Sequence, residues 1–382
     1  MIGVVGGGQL AKLLVEAGKK RDVDVLVQTS AKTDPAAKNS KEVILHDPKN
    51  IEGTKLLANK CSSVTFENEW IDISALLPLQ NQGVSFFPKL QSIKPLINKI
   101  TQRELLNNLD IPCPHWISIP IGKSLTFEIP NSWTFPLMAK AARGGYDGKG
   151  TKVIKNSKQL EELIALDKEE QWMLEKWVSY EKELSIVSSR DSTGIIRSLP
   201  IVETHQFRQV CDWVLAPADI NHSVELMMKN IASSLLTELD YVGVLAIEFF
   251  YGSDGLLVNE IAPRTHNSGH FSIDACISSQ FDQQLCIASG LKVPMPEMIV
   301  DGALMANLLG LSSKYPISIN KRLDDLRNIS GLNVHWYEKG EEKKGRKLGH
   351  VTYLLTNKDP ISRKEEAMNI LRTIRLIWPT SG

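Results

Sequence analysis

A hairpin of two apolar strands constrains this chain more than any other stretch. Val244–Phe250 and Leu256–Ile261 have strand-like composition and are separated by a Gly-containing turn. If a three-residue loop at Ser253–Gly255 closes the hairpin, Gly252 pairs with Leu256. Because side chains alternate between the two faces of a strand, that pair fixes the face of every residue beyond it.

Two glutamates face each other in this register. Glu248 lies opposite Glu260, with Cβ atoms about 4.5–5.5 Å apart, so the two carboxylates repel unless a proton or cation lies between them. A solvent-exposed edge hairpin is the alternative, but Glu248 interrupts the apolar run Val244–Ile247, which suits a buried strand. Paired oxygen ligands suit Mg²⁺, so we interpret both glutamates as metal ligands.

Length and charge limit the classes of function. A chain of 382 residues exceeds one ordinary core, which predicts two or three domains. Lys and Arg (44) balance Asp and Glu (44), so neither nucleic acid nor a membrane is expected as a partner, and small molecules are. There is no run long enough for a membrane span and no charged leader, and the five cysteines lack metal-site spacing. We therefore expect a cytoplasmic protein with reduced thiols.

The N-terminal pattern predicts a parallel α/β sheet. Strand Ile2–Val5, helix Gln9–Arg21 and strand Val23–Val27 form a βαβ unit, joined by Gly6–Ala11 in the GxGxxA form of a phosphate-binding turn. An acidic residue for a nicotinamide ribose is missing at Gln28–Ser30, so the turn favours phosphate over NAD. Further strands are expected at Glu42–His46 and Ser63–Phe66, and helices near Ile51–Lys60 and Ile71–Leu79.

Glu67 follows the strand that ends at Phe66. Carboxyl ends of such strands bind ligands, so Glu67 is expected to accept a hydrogen bond from a substrate; a helix cap before Trp70 is an equally good interpretation. The first boundary is placed near Ser92. An amphipathic helix is then predicted over Ile93–Leu109, with Lys99 and Arg103 on neighbouring turns.

A glycine-rich loop separates the next two strands, Pro136–Lys140 and Thr151–Ile154. The loop Arg143–Gly150 combines glycines with cationic flanks, which favours a lid over phosphates against a plain hairpin tip. Trp172–Val178 is an apolar strand that enters a linker, and Glu183 opens the strand that follows.

The order of these features resembles the ATP-grasp superfamily, in which two α+β lobes hold Mg-ATP. More narrowly, Gly3–Leu10, Gly144–Gly150, Asn259–His270 and Gly345–His350 are together similar to the N5-carboxyaminoimidazole ribonucleotide synthetase family, which uses ATP in purine biosynthesis. The resemblance implies an ATP-grasp fold of α/β and α+β class. Its N-terminal Rossmann-like parallel-sheet domain covers 1–92, the ATP-grasp domain 93–300 (small lobe about 115–178, Mg-binding lobe about 183–300), and a small C-terminal domain 301–382.

The resemblance also implies an activity and roles for residues. The activity is ATP-dependent carboxylation of 5-aminoimidazole ribonucleotide by bicarbonate, through carboxyphosphate or the CO₂ it releases, in a homodimer. ATP would be bound by Lys99, Lys140, Gly145, Tyr146, Asp147, Gly148, Glu175, Lys176, Trp177, Val178, Glu183, Asn259 and Glu260, with Mg²⁺ on Glu248 and Glu260. Catalytic roles would fall to Arg264, His266, Asn267 and Lys339. The ribonucleotide would be bound by Gly8, Gln9, Leu10, Glu67, Tyr146, Asp147, Lys149, Lys339, Arg346 and Lys347.

Two segments of the chain fit the roles implied by the resemblance less well. By itself Tyr337–Lys347 is a mixed charge run of the kind that forms solvated loops, and a substrate role requires the third domain to fold back on the first. The segment Glu203–Trp213 departs from the family pattern, with Thr204 in an Asn position and His205 offset by one. Another ATP-grasp ligase or a nucleotide-binding dehydrogenase or module therefore remains as an alternative.

Overall fold

The computed structural model describes residues 1–119, 127–144, 150–166, 171–312 and 315–380. Three sheets organise these residues: one parallel sheet of five strands, one sheet of four strands and one of nine. Within the described residues no helix is both long enough and apolar enough to cross a membrane.

The N-terminal sheet is parallel with strand order β3-β2-β1-β4-β5, as the βαβ pattern predicted. The three central strands, β2, β1 and β4, are buried on both faces because helices cover them, which explains their apolar runs. The strands are β1 Ile2–Val5, β2 Val25–Thr29, β3 Glu42–Leu45, β4 Ser63–Phe66 and β5 Phe86–Phe87, and the helices are α1 Gln9–Lys20, α2 Ile51–Ala58 and α3 Ile73–Asn81.

The single helix predicted over Ile93–Leu109 is wrong. The chain forms α4 (Leu90–Ile93), a 3₁₀ turn (Lys94–Leu96) and then α5 (Lys99–Asn108). Asn98 is extended and its side chain accepts the Ile100 N–H at 2.8 Å, so a new helix begins after it. This break places Lys99 at a helix N-terminus.

The four-stranded sheet is antiparallel, with order β6-β9-β7-β8. Lys99 N–H donates to the Ala142 carbonyl at 2.9 Å, which ties α5 to this sheet. The elements are β6 Trp116–Ile119, β7 Leu137–Ala141, β8 Thr151–Ile154, α6 Ser157–Leu166 and β9 Trp172–Lys176. Most of the predicted glycine lid, including Gly145, Tyr146, Asp147, Gly148 and Lys149, lies outside the described residues.

The large sheet has the order β15-β14-β10-β12-β13-β16-β18-β17, with β11 paired to β10. It continues without interruption past the boundary expected at 300, because β16 pairs with β13. Its strands are β10 Lys182–Arg190, β11 Ile196–Ser198, β12 Val202–Phe207, β13 Val210–Ala216, β14 Gly243–Gly252, β15 Gly255–Ala262, β16 Gly302–Leu309, β17 Leu332–Trp336 and β18 Lys347–Leu355. The helices around it are α7 His222–Glu238, α8 Ser272–Ala275, α9 Gln280–Ser289, α10 Ile319–Arg327 and α11 Pro360–Ile377, with a 3₁₀ turn at Asn267–Gly269.

The C-terminal region folds back on the N-terminal domain, as the substrate interpretation required. Lys12 on α1 donates to the Trp336 carbonyl at 2.8 Å and pairs with Glu338 at 3.1 Å. Tyr337 is buried in the same apolar cluster as α1. The two ends of the sequence therefore meet in one interface.

Candidate active site

The β14–β15 hairpin brings Glu248 opposite Glu260, as predicted, but through a different geometry. Gly252 pairs with Gly255 and not with Leu256, so the three-residue loop is wrong and the turn has two central residues. The register then shifts by one between the pairs Glu248–Glu260 and Phe249–Val258. Asn259 is the extra, bulged residue, and bulges of this kind often re-aim a side chain beside a site.

The two carboxylates have different environments. The Lys99 ammonium lies 2.7 Å from Glu260, and His266 Nε2 lies 3.7 Å from Glu248. Burial opposes ionisation of Glu260, but Lys99 outweighs it and holds the pKa of Glu260 at about 2. Burial, with the facing Glu260 charge, raises the pKa of Glu248 to about 8. Glu260 is therefore already paired with Lys99, whereas a bound cation would stabilise the ionised form of Glu248.

A divalent ion fits this pair. In the described part of the chain no group of three or more His, Cys, Asp or Glu side chains forms a cage for a metal. Mg²⁺ needs no such cage, because one or two carboxylates together with substrate phosphates commonly hold it. Crowding of two carboxylates is also the condition that a bound cation relieves.

A buried charge cluster lies beside the pair. Glu175 is 2% exposed and its carboxylate contacts Arg103 at 2.5 Å and Lys140 at 2.8 Å. Burial opposes ionisation of Glu175, but the two cations lower its pKa below the ordinary value. Burial lowers the pKa of Lys140, although Glu175 acts in the opposite direction. The Asn259 amide oxygen accepts from Lys140 at 2.8 Å, so the bulge anchors this lysine.

An open cavity of about 400 Å³ joins these groups. Its lining residues come from both the four-stranded and the nine-stranded sheet, so it lies between the two lobes. The predicted residues that line it are Lys99, Lys140, Glu175, Lys176, Trp177, Val178, Glu183, Glu248, Asn259, Glu260, Arg264, His266, Asn267 and Lys347. The Glu175 carboxylate is paired with both Arg103 and Lys140. It therefore positions the Lys140 ammonium at the cavity wall.

One end of the cavity is aromatic. Tyr180 stacks on Phe250 with ring centroids 4.6 Å apart, and its hydroxyl donates to Glu183 at 2.5 Å. Burial raises the pKa of Glu183, while the Gln206 side chain also hydrogen-bonds to it. This end offers a flat apolar surface beside a hydrogen-bonding carboxylate.

Sequence reasoning missed several residues of the cavity. A signal existed for some of them, because residues two apart on a strand share a face. Phe250 follows Glu248 by two positions, and Met138 precedes Lys140 by two. Arg103 was noted on its helix, but its partner Glu175 is 72 positions away, so no local pattern reveals the contact. The missed lining residues are Met138, Thr151, Val153, Tyr180, Gln206, Gln209, Cys211, Phe250 and Ala262.

A second group of predicted residues forms what we call the cradle, made of Gly8, Gln9, Leu10, Glu67, Lys339 and Arg346. The N–H groups of Gly8 and Leu10 donate to the Glu67 carboxylate at 2.7 and 3.2 Å. Lys339 hydrogen-bonds to the Gln9 side chain. Arg346 donates to the Lys339 carbonyl at 3.0 Å, which fixes the loop that carries both cations.

The glycine turn thus holds the Glu67 carboxylate. A Cβ added at Gly8 would lie 2.4 Å from a Glu67 oxygen, and one at Gly6 would lie 2.4 Å from the Glu67 Cβ. Burial raises the pKa of Glu67, against the effect of the backbone donors. An internal carboxylate thus accepts from two N–H groups of the glycine turn, and phosphate binding at this turn stays a prediction. Lys347, expected with the cradle, is 95% buried and lines the cavity instead.

The loop after β15 is held from two sides. Arg264 makes a two-pronged contact with Glu69, at 2.5 Å from Nε and 3.3 Å from Nη2. His266 N–H donates to the Gln280 side chain at 2.7 Å, and His266 Nδ1 lies 3.0 Å from the Ser268 hydroxyl. Arg264, His266 and Asn267 all line the cavity, so cationic and donor groups face the same space as the carboxylate pair. His205, kept off the site, is exposed and stacks on Trp213 at 5.2 Å.

Comparison with known proteins identifies the family. The chain is 39% identical over 378 residues to the N5-carboxyaminoimidazole ribonucleotide synthase of Synechococcus elongatus, covering 99% of this chain and 95% of that protein. It is 32% identical over 361 residues to the synthase of Bacillus subtilis, covering 94% and 92%. The chain belongs to the N5-carboxyaminoimidazole ribonucleotide synthase family.

Family models and solved structures agree with this assignment. The ATP-grasp domain matches residues 104–281, the ribonucleotide synthetase preATP-grasp domain 1–96, and the phosphoribosylaminoimidazole carboxylase C-terminal domain 303–364. The synthetase of Thermotoga maritima is 33% identical with a TM-score of 0.81, covering 97% of each chain. The Aspergillus clavatus synthase complexed with ATP is 29% identical with a TM-score of 0.87, covering 98% of each. The ATP-grasp fold expected from the sequence is confirmed.

Proposed function

We propose that this member of the N5-carboxyaminoimidazole ribonucleotide synthase family is an ATP-dependent carbon–nitrogen ligase of purine biosynthesis. It carboxylates 5-aminoimidazole ribonucleotide with bicarbonate and releases ADP and phosphate. One observation carries the chemistry: the Glu248–Glu260 pair with Lys99 lines the same cavity as Arg264, His266 and Asn267. A nucleoside triphosphate and a small anion can therefore bind in the same cavity.

In the first step a bicarbonate oxygen attacks the γ-phosphorus, the bond to the ADP oxygen breaks, and carboxyphosphate forms. Lys99 and Lys140 bind and orient the phosphates and neutralise charge on the transferred group. Mg²⁺, when held by Glu248 and Glu260, supplies further charge neutralisation. Arg264 and Asn267 hold the bicarbonate, because a guanidinium matches a planar oxyanion.

In the second step the exocyclic amine forms a bond to the carboxyl carbon of carboxyphosphate, or of the CO₂ released from it. Phosphate leaves with the electrons of the broken carbon–oxygen bond and takes up the proton that the amine nitrogen loses. His266 lines the cavity, with its Nε2 3.7 Å from Glu248. The cradle binds the ribonucleotide phosphate through Lys339 and Arg346.

The test is a coupled assay of ADP release with each substrate omitted in turn, together with incorporation of ¹³C from bicarbonate into the aminoimidazole product. We expect ADP release to require both 5-aminoimidazole ribonucleotide and bicarbonate. ADP release that continues at full rate without either one, or that needs an amino acid or formate, would favour another ATP-grasp ligase. Reduction of NAD by the protein would favour the dehydrogenase alternative.

The remaining proposals concern metal, assembly and location. Activity is expected to disappear with EDTA and to return with Mg²⁺. Light scattering is expected to give twice the chain mass of 42.6 kDa, as for a homodimer. A cytoplasmic location is supported by five cysteines that are all free thiols. Fractionation of cells that express the protein tests the location.

A further inference from the structure

The segment that follows β4 carries two carboxylates that turn in different directions. Glu67 N–H donates to the Val5 carbonyl at 3.0 Å, which continues the sheet pairing to this point. The Asn68 side chain then accepts the Trp70 N–H at 3.0 Å and bends the backbone. Glu67 consequently faces the glycine turn of its own domain, while Glu69 reaches Arg264, 195 positions away in the ATP-grasp domain.

The Glu69–Arg264 contact has the geometry of a specific pair. Nε of Arg264 meets one carboxylate oxygen at 2.5 Å and Nη2 meets the other at 3.3 Å. The two side chains are 14% and 18% exposed, so solvent screens the pair only in part. Nη1 of Arg264 donates to the Thr265 carbonyl at 3.2 Å, which restricts rotation of the guanidinium plane.

The loop that faces the cavity is thus anchored from both domains. Gln280 accepts the His266 N–H at 2.7 Å and donates to the His266 carbonyl at 2.6 Å, from within the ATP-grasp domain. Glu69 supplies an anchor from the N-terminal domain. Because long Arg side chains have many rotamers, Arg264 without Glu69 would sample orientations that do not face the bicarbonate position.

We infer that Glu69 is a positioning residue that fixes the guanidinium of Arg264 for bicarbonate, and that it does so from the domain that carries the cradle. The inference rests on the proposed function, because it assigns bicarbonate to Arg264. Glu69 itself contacts neither reacting substrate; it acts through Arg264. Formation of the anion site in one domain therefore depends on correct docking of the other.

The kinetic test uses Glu69→Gln, with Glu42→Gln as the matched control, since Glu42 pairs with Lys60 on the same domain away from the site. Glu69→Gln is expected to raise the KM for bicarbonate about tenfold or more, with the KM for ATP unchanged. Glu69→Asp keeps the charge and is expected to recover part of the loss. Once Arg264 is replaced in Arg264→Lys, adding Glu69→Gln is expected to change the KM for bicarbonate little further.

A second readout does not require turnover. Phenylglyoxal modifies accessible arginines, and mass spectrometry of the peptide that contains Arg264 is expected to show severalfold faster modification in Glu69→Gln at an unchanged unfolding midpoint. An unchanged or lowered KM for bicarbonate, or an unchanged modification rate, overturns the inference. If the wild-type protein lacks bicarbonate-dependent ADP release, the proposed function fails. The rate at which phenylglyoxal modifies Arg264 still decides whether Glu69 orders that side chain. If Glu69→Gln does not fold, Glu69→Asp carries both measurements.

Discussion

In the cavity, Lys99 and Lys140 bond to carboxylates that border open space, whereas in the cradle the N–H groups of Gly8 and Leu10 are already occupied by Glu67. The cavity has its charges arranged around a volume of about 400 Å³. The cradle has its donors filled by the protein's own carboxylate. This difference predicts that ATP meets a preformed site, while a ribonucleotide phosphate that approached the glycine turn would have to compete with Glu67.

The largest effect is expected from Glu175, whose charge is buried under the cavity. Glu175→Gln leaves Arg103 and Lys140 without their shared anion, and breaking such a pair costs about 3–5 kcal/mol of unfolding free energy. Urea denaturation measures this change. Glu42→Gln, which removes an exposed pair with Lys60, should cost less than about 1 kcal/mol. Equal losses in the two variants would contradict a preformed, charge-dependent cavity.

The next effect concerns turnover. Glu260→Gln removes the carboxylate that pairs with Lys99 and that we assign to Mg²⁺, and kcat for ADP release is expected to fall about 10²–10³-fold. The Mg²⁺ concentration that gives half-maximal rate should rise as well. Glu104→Gln, on the exposed side of the helix that begins at Lys99, is the control. Full activity of Glu260→Gln at the same Mg²⁺ concentration would remove the metal assignment.

A methyl group added at Gly8 should weaken ribonucleotide binding at the cradle. In Gly8→Ala the new Cβ would lie 2.4 Å from a Glu67 oxygen, so the carboxylate must move. The KM for 5-aminoimidazole ribonucleotide is expected to rise about tenfold with the KM for ATP unchanged. In Gly8→Ala/Glu67→Ala the clash disappears, but the acceptor of the Gly8 and Leu10 N–H groups is lost with it, so the KM should stay high. An effect on ATP alone would show that cavity and cradle are not separate binding regions.

The smallest effect per residue is a pH dependence of stability that arises from two buried histidines. His270 and His350 are fully buried, with ring centroids 4.9 Å apart, and burial lowers the pKa of both well below the ordinary value. At these two positions the unfolded chain therefore binds protons that the folded chain does not, so the contribution of the two histidines to the unfolding free energy is fully present above pH 6.5 and is lost as pH drops below it. Each histidine contributes at most about 1.4 kcal/mol per pH unit.

Urea denaturation from about pH 7.5 to about pH 5 measures how the unfolding free energy changes with pH, because this range brackets the ordinary histidine pKa of about 6.5. His350→Gln should flatten this dependence, whereas His205→Gln, at an exposed position, should not. A slope that His350→Gln leaves unchanged would mean that protonation of His350 does not contribute to the pH dependence of stability.

Local patterns were sufficient for the parallel sheet and for the facing glutamates. Strand periodicity predicted β1 and β4, and an alternation count put Glu248 opposite Glu260. That count succeeded because an error of one residue at the turn was offset by a bulge of one residue at Asn259. Where a non-local contact decides the structure, as for Glu67 on Gly8, the residue types were visible but the partner was not.

The helix break before Lys99 shows the same limit in a local setting. Apolar spacing favoured one continuous helix, while the competing signal was Asn98, a residue type that caps a helix start. The roles assigned by resemblance remain predictions for each residue. The contacts of Lys140 with Asn259 and of Lys99 with Glu260 give those predictions a physical basis.

The bulge at Asn259 also separates two functions along one strand. A chain one residue shorter at this position would keep every cross-strand partner of the hairpin, because the pairs on both sides of the bulge differ in register by that single residue. The facing glutamates would survive, and the losses would be the side chain that holds Lys140 and the carbonyl that accepts from Arg103. Asn259 is therefore equivalent to an insertion into a regular hairpin, one that adds a lysine anchor without disturbing the pair of carboxylates.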